Sequence, residues 1–488
     1  MKFNLKTTMF FIVFLYILYS FNGYPLLTND TTYFLPTSFE IKYQHSLTNT
    51  FYNGGFNNGD KFLFYPPLFP AVISLLLLVD HVSILFLSIN LINILSLLFV
   101  GRIILVLNKS AKINLLTLLY VIACASFLSP SYSRPELLVN LIYYSFLLSH
   151  LKNFNARYFI HGALLVLCGL TSPINAVYLC LIGLLVMIYK YEFSLNNIFK
   201  ICIGAIIVAL SFYLLYPYKI VDLLNTMKIH AANSISNRND AYTLAQFLKY
   251  HILNPFGSFG IIIMSTATFI VGKSIIKSKH PLKSISIFLF IILLILFTYF
   301  GFKSIFLSYN IYSLIPFALF IIYYFSQTNK TLKFNKLATL LFSTASISFL
   351  YTIVTFIIAS TQNPININKI KKEISPILMS NNKSIAFTPS FWPIFKSPAT
   401  KCKYEIYTYN NATSDFILMQ QYATGLQTPP SISGYELVVN KFDKPFLLFD
   451  IIKVYKYKPF YQYALFKKTN YKIPQKFTKK INGAGNFE

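Results

Sequence analysis

The chain has 488 residues, of which 55% are apolar, 18% aromatic and only 12% charged. This composition excludes an ordinary soluble domain and predicts a polytopic α-helical membrane protein. The formal net charge of +27 comes mainly from lysines between apolar segments or near the C-terminus, which argues against a nucleic-acid partner and also fits the drift of an AT-rich genome.

Apolar runs long enough to cross roughly 30 Å of hydrocarbon as helices recur up to residue 358. They predict spans over residues 8–24, 83–107, 113–129, 137–150, 157–173, 175–190, 199–217, 256–272, 284–301, 305–325 and 337–358. The first run follows Lys2 and Lys6 but lacks a convincing small-residue cleavage site. We therefore interpret it as an uncleaved span in a protein of about eleven transmembrane helices.

The segment 66–79 decides the orientation of everything that follows it. As a helix it would rise about 21 Å, which is short of a full crossing. We predict that it stays on the outer side as an interfacial or re-entrant helix, because most lysines and arginines then fall in cytoplasmic loops, as the positive-inside rule requires. The acidic residues of the outer loops are then Asp30, Glu40, Asp60, Asp80, Glu136, Asp222 and Asp240.

The pattern changes after residue 358 and divides the chain into three parts. Residues 1–358 form the predicted membrane domain, with an outer loop at 25–82, and residues 475–488 form a predicted flexible tail. Residues 359–474 predict a small α/β domain, placed outside by the odd number of spans. Its predicted elements are a helix over 366–379 and strands over 384–387, 415–419, 435–439 and 461–466.

Four short motifs follow one another along the chain. They are Asp30-Thr31-Thr32-Tyr33, Tyr65-Pro66-Pro67-Leu68, Ser133-Arg134-Pro135-Glu136 and Tyr309-Asn310-Ile311-Tyr312. In order and spacing they resemble the GT-C superfamily of membrane glycosyltransferases, most closely the branch containing protein O-mannosyltransferases and the bacterial lipid A aminoarabinose transferase. The resemblance implies transfer of a sugar from a polyprenyl-phosphate carrier to an acceptor hydroxyl at the outer membrane face, with inversion at the anomeric carbon.

The resemblance assigns the chemistry to acidic residues. Asp30 matches the base of the first outer loop, a role that suits a carboxylate near a low-dielectric membrane because the attacking hydroxyl must lose its proton. The alternative is that Asp30 only caps a short helix. The family commonly has a second acid beside the first, where this chain has Thr31. Glu136 matches the acid of the second outer loop, with an ion pair to Arg134 as the alternative interpretation, and Glu40 is a nearer but unmatched candidate.

The departing lipid phosphate needs cations, and arginine suits it because its planar fork donates two parallel hydrogen bonds. Arg134 and Arg238 are the arginines on the predicted outer face, and we favour Arg134. Family members often carry Arg-Tyr near Tyr309, so Lys303 from the adjoining loop is a candidate substitute for that arginine. Further outer-face candidates for substrate binding are Glu40, Lys42, His45 and Tyr309.

The composition and the resemblance together predict an inverting glycosyltransferase of the bacterial inner membrane whose C-terminal domain is periplasmic. An endoplasmic reticulum membrane is the alternative compartment. The expected acceptor is a lipid, a glycan or a protein. Neither a metal-ligand cluster nor a Gly-rich phosphate loop is evident, so we predict no obligatory cofactor and leave a divalent cation at Asp30 and Glu136 open. The alternative is a transporter or flippase of a lipid-linked or anionic solute, which usually holds ionisable groups within its spans. A third candidate class of function is a scaffold of the cell envelope.

Overall fold

A computed structural model describes the chain in segments separated by gaps. The described residues are 5–21, 33–49, 61–79, 82–107, 134–152, 154–236, 265, 269, 272–273, 275–279, 282–303, 367–378, 384–388, 391–395, 403–406, 414–420, 428–442 and 462–469. The predicted spans over 113–129, 305–325 and 337–358 lie outside these residues, and so does most of the span over 256–272.

The described residues up to 303 are mostly helical. Their helices are α1 (Leu5–Phe21), α2 (Leu35–Gln44), α3 (Leu68–Leu76), α4 (Val82–Leu107), α5 (Glu136–Lys152), α6 (Arg157–Gly169), α7 (Pro173–Tyr189), α8 (Leu195–Leu215), α9 (Ile220–Ser236) and α10 (Lys283–Lys303). Helices α1, α4 to α8 and α10 coincide closely with predicted spans. Helix α2 lies in the outer loop at 25–82, where interfacial helices were expected without specific bounds, and α9 was not predicted.

Two described helices are long and apolar enough to cross a membrane. They are Ile84–Ile103 within α4 and Leu195–Leu215, which is α8. Shorter apolar stretches occur in α6, α7 and α10. The chain is therefore a mostly helical protein with two candidate spanning helices in its described part, and the larger number of about eleven remains a prediction.

Helix α3 is the observed form of the ambiguous segment 66–79. It has 9 residues and therefore rises about 14 Å, less than half of the hydrocarbon thickness. Its Phe69 and Ile73 are buried in the core, and the helix packs against α2. A helix of this length cannot cross a membrane, which agrees with the prediction for this segment.

A chain of hydrogen bonds joins α1 to α4 inside the bundle. Asn90 Nδ2 donates to Ser20 Oγ at 2.8 Å, and Ser20 Oγ donates to the Tyr16 carbonyl at 2.8 Å. Asn93 Nδ2 donates to Asn90 Oδ1 at 3.4 Å. Because apolar surroundings offer no water, side-chain hydrogen bonds of this kind fix how two helices pair.

Helices α6 and α8 cross in backbone contact at a pair of glycines. A Cβ atom on Gly162 would lie 1.9 Å from the carbonyl oxygen of Ile201. On the other helix, a Cβ atom on Gly204 would lie 2.0 Å from the carbonyl oxygen of Phe159. Neither obstacle is a side chain that can turn away, so only glycine permits this approach.

The described residues of the C-terminal part build a five-stranded sheet with two helices. The strands are β1 (Ser384–Phe387), β2 (Lys403–Ile406), β3 (Phe416–Gln420), β4 (Tyr435–Asn440) and β5 (Tyr463–Lys468), and the helices are α11 (Ile367–Leu378) and α12 (Trp392–Phe395). The strand order is β2-β1-β3-β5-β4. Strand β1 is parallel to both neighbours, and β5 is antiparallel to β3 and β4. The predicted strands correspond to β1, β3, β4 and β5.

The C-terminal part packs directly on α2. The rings of Phe39 and Trp392 meet edge to face, with centroids 5.4 Å apart. Both side chains belong to one continuous apolar core with Ile370 and Ile374 of α11. This contact places α2, α3 and the C-terminal sheet at the same end of the helices.

We predict that Gly162→Ala lowers the stability of the folded protein. Overpacking against rigid backbone costs about 1–3 kcal/mol, whereas Gly→Ala in a free helix interior usually raises helix stability. The control is Gly169→Ala on the same helix, where the added Cβ would make an ordinary contact of 3.7 Å with Ala176. Thermal unfolding of the purified proteins measures both. Equal melting temperatures for the two variants would contradict the close crossing.

Candidate functional site

The motif Arg134-Pro135-Glu136 forms the start of α5. The Pro135 carbonyl accepts the first helical hydrogen bonds, from the N–H of Leu138 at 2.9 Å and of Val139 at 3.2 Å. Glu136 is thereby the first residue of the helix, where the helix dipole favours a negative charge. Arg134 donates to it through Nε at 3.1 Å and through Nη2 at 3.3 Å. This two-pronged pair is the ion pair that the sequence left open as an alternative for Glu136.

Tyr65 lies beside this ion pair, although α3 and α4 separate the two motifs along the chain. Burial raises the pKa of Tyr65 well above its usual value, with Glu136 adding to the rise and Arg134 opposing it. A hydrogen bond with Ser172 also acts on the phenol. The hydroxyl of Tyr65 therefore stays protonated at neutral pH and serves as a neutral hydrogen-bonding group next to Arg134.

The hydrogen bonds continue from Ser172 into the start of α7. Asn175 Nδ2 donates to Ser172 Oγ at 2.9 Å, and the hydroxyl of Tyr143 donates to the Asn175 carbonyl at 2.8 Å. The N–H of Leu68 donates to the carbonyl of Leu170 at 3.2 Å, which holds the start of α3 against the end of α6. We call this group the polar cluster. Its members are Tyr65, Arg134, Glu136, Tyr143, Ser172 and Asn175.

Asn140 lies on α5 between Glu136 and Tyr143. At 100° and 1.5 Å per residue, the three side chains share a face about 60° wide, and Asn140 is about 6 Å along the helix from Glu136. Its relative exposure is 0%. Neither Oδ1 nor Nδ2 of Asn140 has a hydrogen-bond partner among the described residues.

Glu40, Lys42 and His45 lie on α2 or directly after it. Glu40 is only 4% exposed, and its carboxylate accepts a short hydrogen bond from the hydroxyl of Thr48. Lys42 is half-buried, and His45 is exposed at the end of α2 with φ 54°. Glu40 is therefore buried, and its carboxylate is bonded to Thr48, which follows α2 in the same outer loop.

The loop after α8 also reaches the neighbourhood of Glu40. The hydroxyl of Tyr218 donates to the Leu47 carbonyl at 2.7 Å. Burial raises the pKa of Tyr218, and the charge of Glu40 adds to the rise. Lys61 lies over the ring of Tyr218, with Nζ 5.6 Å from its centroid. Residues that precede α4 in the chain, Leu47 and Lys61, therefore contact Tyr218, which follows α8.

Several predicted site residues lie outside the described residues. They are Asp30, Arg238 and Tyr309. Lys303 is the last residue of α10, and only its backbone is described. Of the predicted catalytic pair, the structure therefore places Glu136 but not Asp30.

The sequence reasoning did not single out Asn140, Tyr143, Ser172 or Asn175. A usable signal was present, because polar side chains inside or between apolar segments are costly and usually serve packing or function. The run Thr171-Ser172-Pro173, at the junction of two predicted spans, combines such residues with the proline that starts α7.

A second ion pair lies at the start of α6, at the end of that helix that is away from the polar cluster. Arg157 Nη2 is 3.1 Å from Glu192 Oε1, and the hydroxyl of Tyr158 donates to Glu192 Oε2 at 3.0 Å. It matches the Arg134–Glu136 pair in length and residue types, yet it lies on the predicted cytoplasmic side. It therefore provides an internal control for the first pair.

Within the described segments, no three His, Cys, Asp or Glu side chains group together as metal ligands. Comparison with models of known protein families finds no match for this chain. Comparison with curated proteins finds no match either.

We predict that Tyr65 makes the protein sensitive to alkaline pH. Above about pH 10 an unfolded tyrosine loses its proton, whereas the folded Tyr65 keeps it. The free energy of unfolding therefore falls by about 1.4 kcal/mol per pH unit because of this residue. Tyr65→Phe should flatten that loss of stability between pH 10 and 11. The control is Tyr191→Phe, since Tyr191 is 72% exposed. Melting temperatures that fall equally in all three proteins would contradict this assignment.

Proposed function

We propose that the chain is an inverting glycosyltransferase of the GT-C type, which transfers a sugar from a polyprenyl-phosphate carrier to an acceptor hydroxyl. In this proposal the described helices belong to a set of about eleven spans in the bacterial inner membrane. The polar cluster and the C-terminal domain at 359–474 face the periplasm. The acceptor hydroxyl belongs to a lipid, a glycan or a protein.

The observation that carries the proposal is the meeting of two sequence motifs. Tyr65-Pro66-Pro67-Leu68 and Arg134-Pro135-Glu136 were selected from the sequence for their resemblance to the same superfamily. In the structure Tyr65 lies within the electrostatic reach of both Arg134 and Glu136. Burying a phenol together with an ion pair costs free energy. Helix packing alone therefore does not explain why Tyr65, Arg134 and Glu136 come together.

Arg134 is suited to the phosphate of the carrier. In the described state its Nε and Nη2 both donate to Glu136. The same fork also matches the geometry of a phosphate, so in this proposal a bound lipid phosphate takes the place of the carboxylate. That exchange would leave Glu136 able to accept a hydrogen bond or a proton from the acceptor, while Tyr65 offers a neutral hydroxyl beside it.

At the anomeric carbon, the proposed reaction forms one bond and breaks one. The acceptor oxygen attacks the anomeric carbon while the bond from that carbon to the phosphate oxygen breaks, which inverts the configuration. A carboxylate takes the proton of the acceptor, and the carrier leaves as a phosphate anion whose charge Arg134 stabilises. The resemblance assigns the base to Asp30, with Glu136 orienting the acceptor or sharing the proton.

A transporter or flippase of a lipid-linked solute is the second candidate, favoured by one observation. His150 and His161 are buried in helices that coincide with predicted spans, and His161 Nε2 lies 3.0 Å from Ser149 Oγ. Ionisable groups at such positions are typical of transport pathways. A transporter would bind the lipid at Arg134 without breaking the bond between sugar and phosphate.

We predict that Arg134→Ala lowers kcat/KM for a labelled polyprenyl-phosphate sugar about a hundredfold, because the departing phosphate loses its charge partner. The purified protein in nanodiscs is assayed for transfer and for hydrolysis of the lipid-linked sugar. Arg157→Ala breaks the matched ion pair at the other end of α6 and should change kcat/KM by less than about threefold.

Equal losses in the Arg134 and Arg157 variants would remove the phosphate role of Arg134. Undiminished turnover by an Asp30→Asn protein would remove Asp30 as the base. Binding of the lipid-linked sugar with no transfer to any acceptor class, but with movement across the bilayer, would replace the enzyme by the transporter.

A further inference from the structure

The buried amide of Asn140 stands out inside the bundle. Its side chain is 0% exposed, and no described residue bonds either of its polar atoms. The amide of Asn90, also inside the bundle, instead donates to Ser20 at 2.8 Å and accepts from Asn93 at 3.4 Å. A buried amide without a partner costs stability, and such a cost is retained where a ligand supplies the missing hydrogen bonds.

The position of Asn140 connects it to the polar cluster. It lies one helical turn from Glu136 on the same face of α5, on the side away from the start of that helix. Tyr143, on the same face, is bonded to Asn175 at 2.8 Å. A ligand held at Arg134 and extending along this face would therefore meet Asn140 next, before it reached the bonded pair of Tyr143 and Asn175.

The chemistry of these groups selects the kind of ligand atom. Asn140 carries no charge, and the next polar residue on its face, Tyr143, is neutral and bonded to the neutral Asn175. A phosphate would need cations, which are at Arg134 instead. An amide offers two donors and one acceptor, a combination that matches a hydroxyl group, since a hydroxyl both accepts and donates.

We propose that Asn140 binds a hydroxyl group of the sugar while the phosphate of the same lipid is held by Arg134. This inference rests on the proposed function and adds a subsite to it. It makes Asn140 a specificity-determining residue, because a sugar that lacks the matching hydroxyl would leave the buried amide unpaired.

The test compares four lipids on the purified full-length protein. The probes are undecaprenyl phosphate and its mannosyl, glucosyl and N-acetylglucosaminyl derivatives, and the measured quantities are the dissociation constants and the melting temperature without lipid. The variant Asn140→Leu keeps a similar size without polar atoms, and Asn140→Ala serves if the leucine does not fit. The control is Asn93→Leu in α4, whose amide is also buried and donates to Asn90 of the same helix.

The wild-type protein should bind at least one glycosyl lipid about tenfold more tightly than undecaprenyl phosphate. Asn140→Leu should lose this preference, keep the affinity for undecaprenyl phosphate and melt at the same temperature as the wild type or higher. Asn93→Leu should keep the preference for the glycosyl lipid.

Three results would overturn the inference alone. They are equal binding of all four lipids by the wild type, an unchanged sugar preference in both Asn140 variants, and an equal loss of affinity for the glycosyl lipids and undecaprenyl phosphate. The proposed phosphate site at Arg134 would survive all three, because the wild-type protein still binds undecaprenyl phosphate in each of them. A wild-type protein that binds none of the four lipids would overturn the proposed function together with the inference.

Discussion

The length of α3 is the constraint on which the arrangement of the site depends. Nine residues rise about 14 Å, so this helix is too short to cross a membrane. The N–H of Leu68 binds the carbonyl at the end of α6, which fixes Tyr65, just before α3, over the starts of α5 and α7. With the predicted spans over 83–107 and 113–129, an α3 that crossed the membrane would place Tyr65 and Glu136 on opposite faces.

The cluster itself balances charge against burial. The pair of Arg134 and Glu136 is largely enclosed, and such a pair is stable only while both partners are present. Its carboxylate also uses the favourable field at the start of α5. The neutral side chains of Ser172, Asn175 and Tyr143 extend the polar cluster into the helix bundle. The C-terminal sheet closes the same end through Trp392, which packs on Phe39 of α2.

Features set by local patterns were predictable from the sequence. The long apolar run of α4 and the strand Ser384–Phe387 coincide closely with their predictions, because hydrophobic length and alternation are local properties. The strand Lys403–Ile406 was missed since its charged residues give no apolar run. The contact between Tyr65 and Glu136 depends on the packing of distant helices, which no local pattern encodes. The sequence did mark both motifs, whereas the role proposed for Asn140 rests on its burial without a hydrogen-bond partner among the described residues.

The most direct test of the account is the side of the membrane on which the site lies. In a protein whose native cysteines are replaced by serine, single cysteines at Asp80, Ser431 and Lys279 are treated with a membrane-impermeant thiol reagent in intact cells. The account predicts labelling at positions 80 and 431 from outside, and at 279 only after the membrane is permeabilised. Labelling of position 80 only after permeabilisation would contradict a non-crossing α3 and an outer-face site.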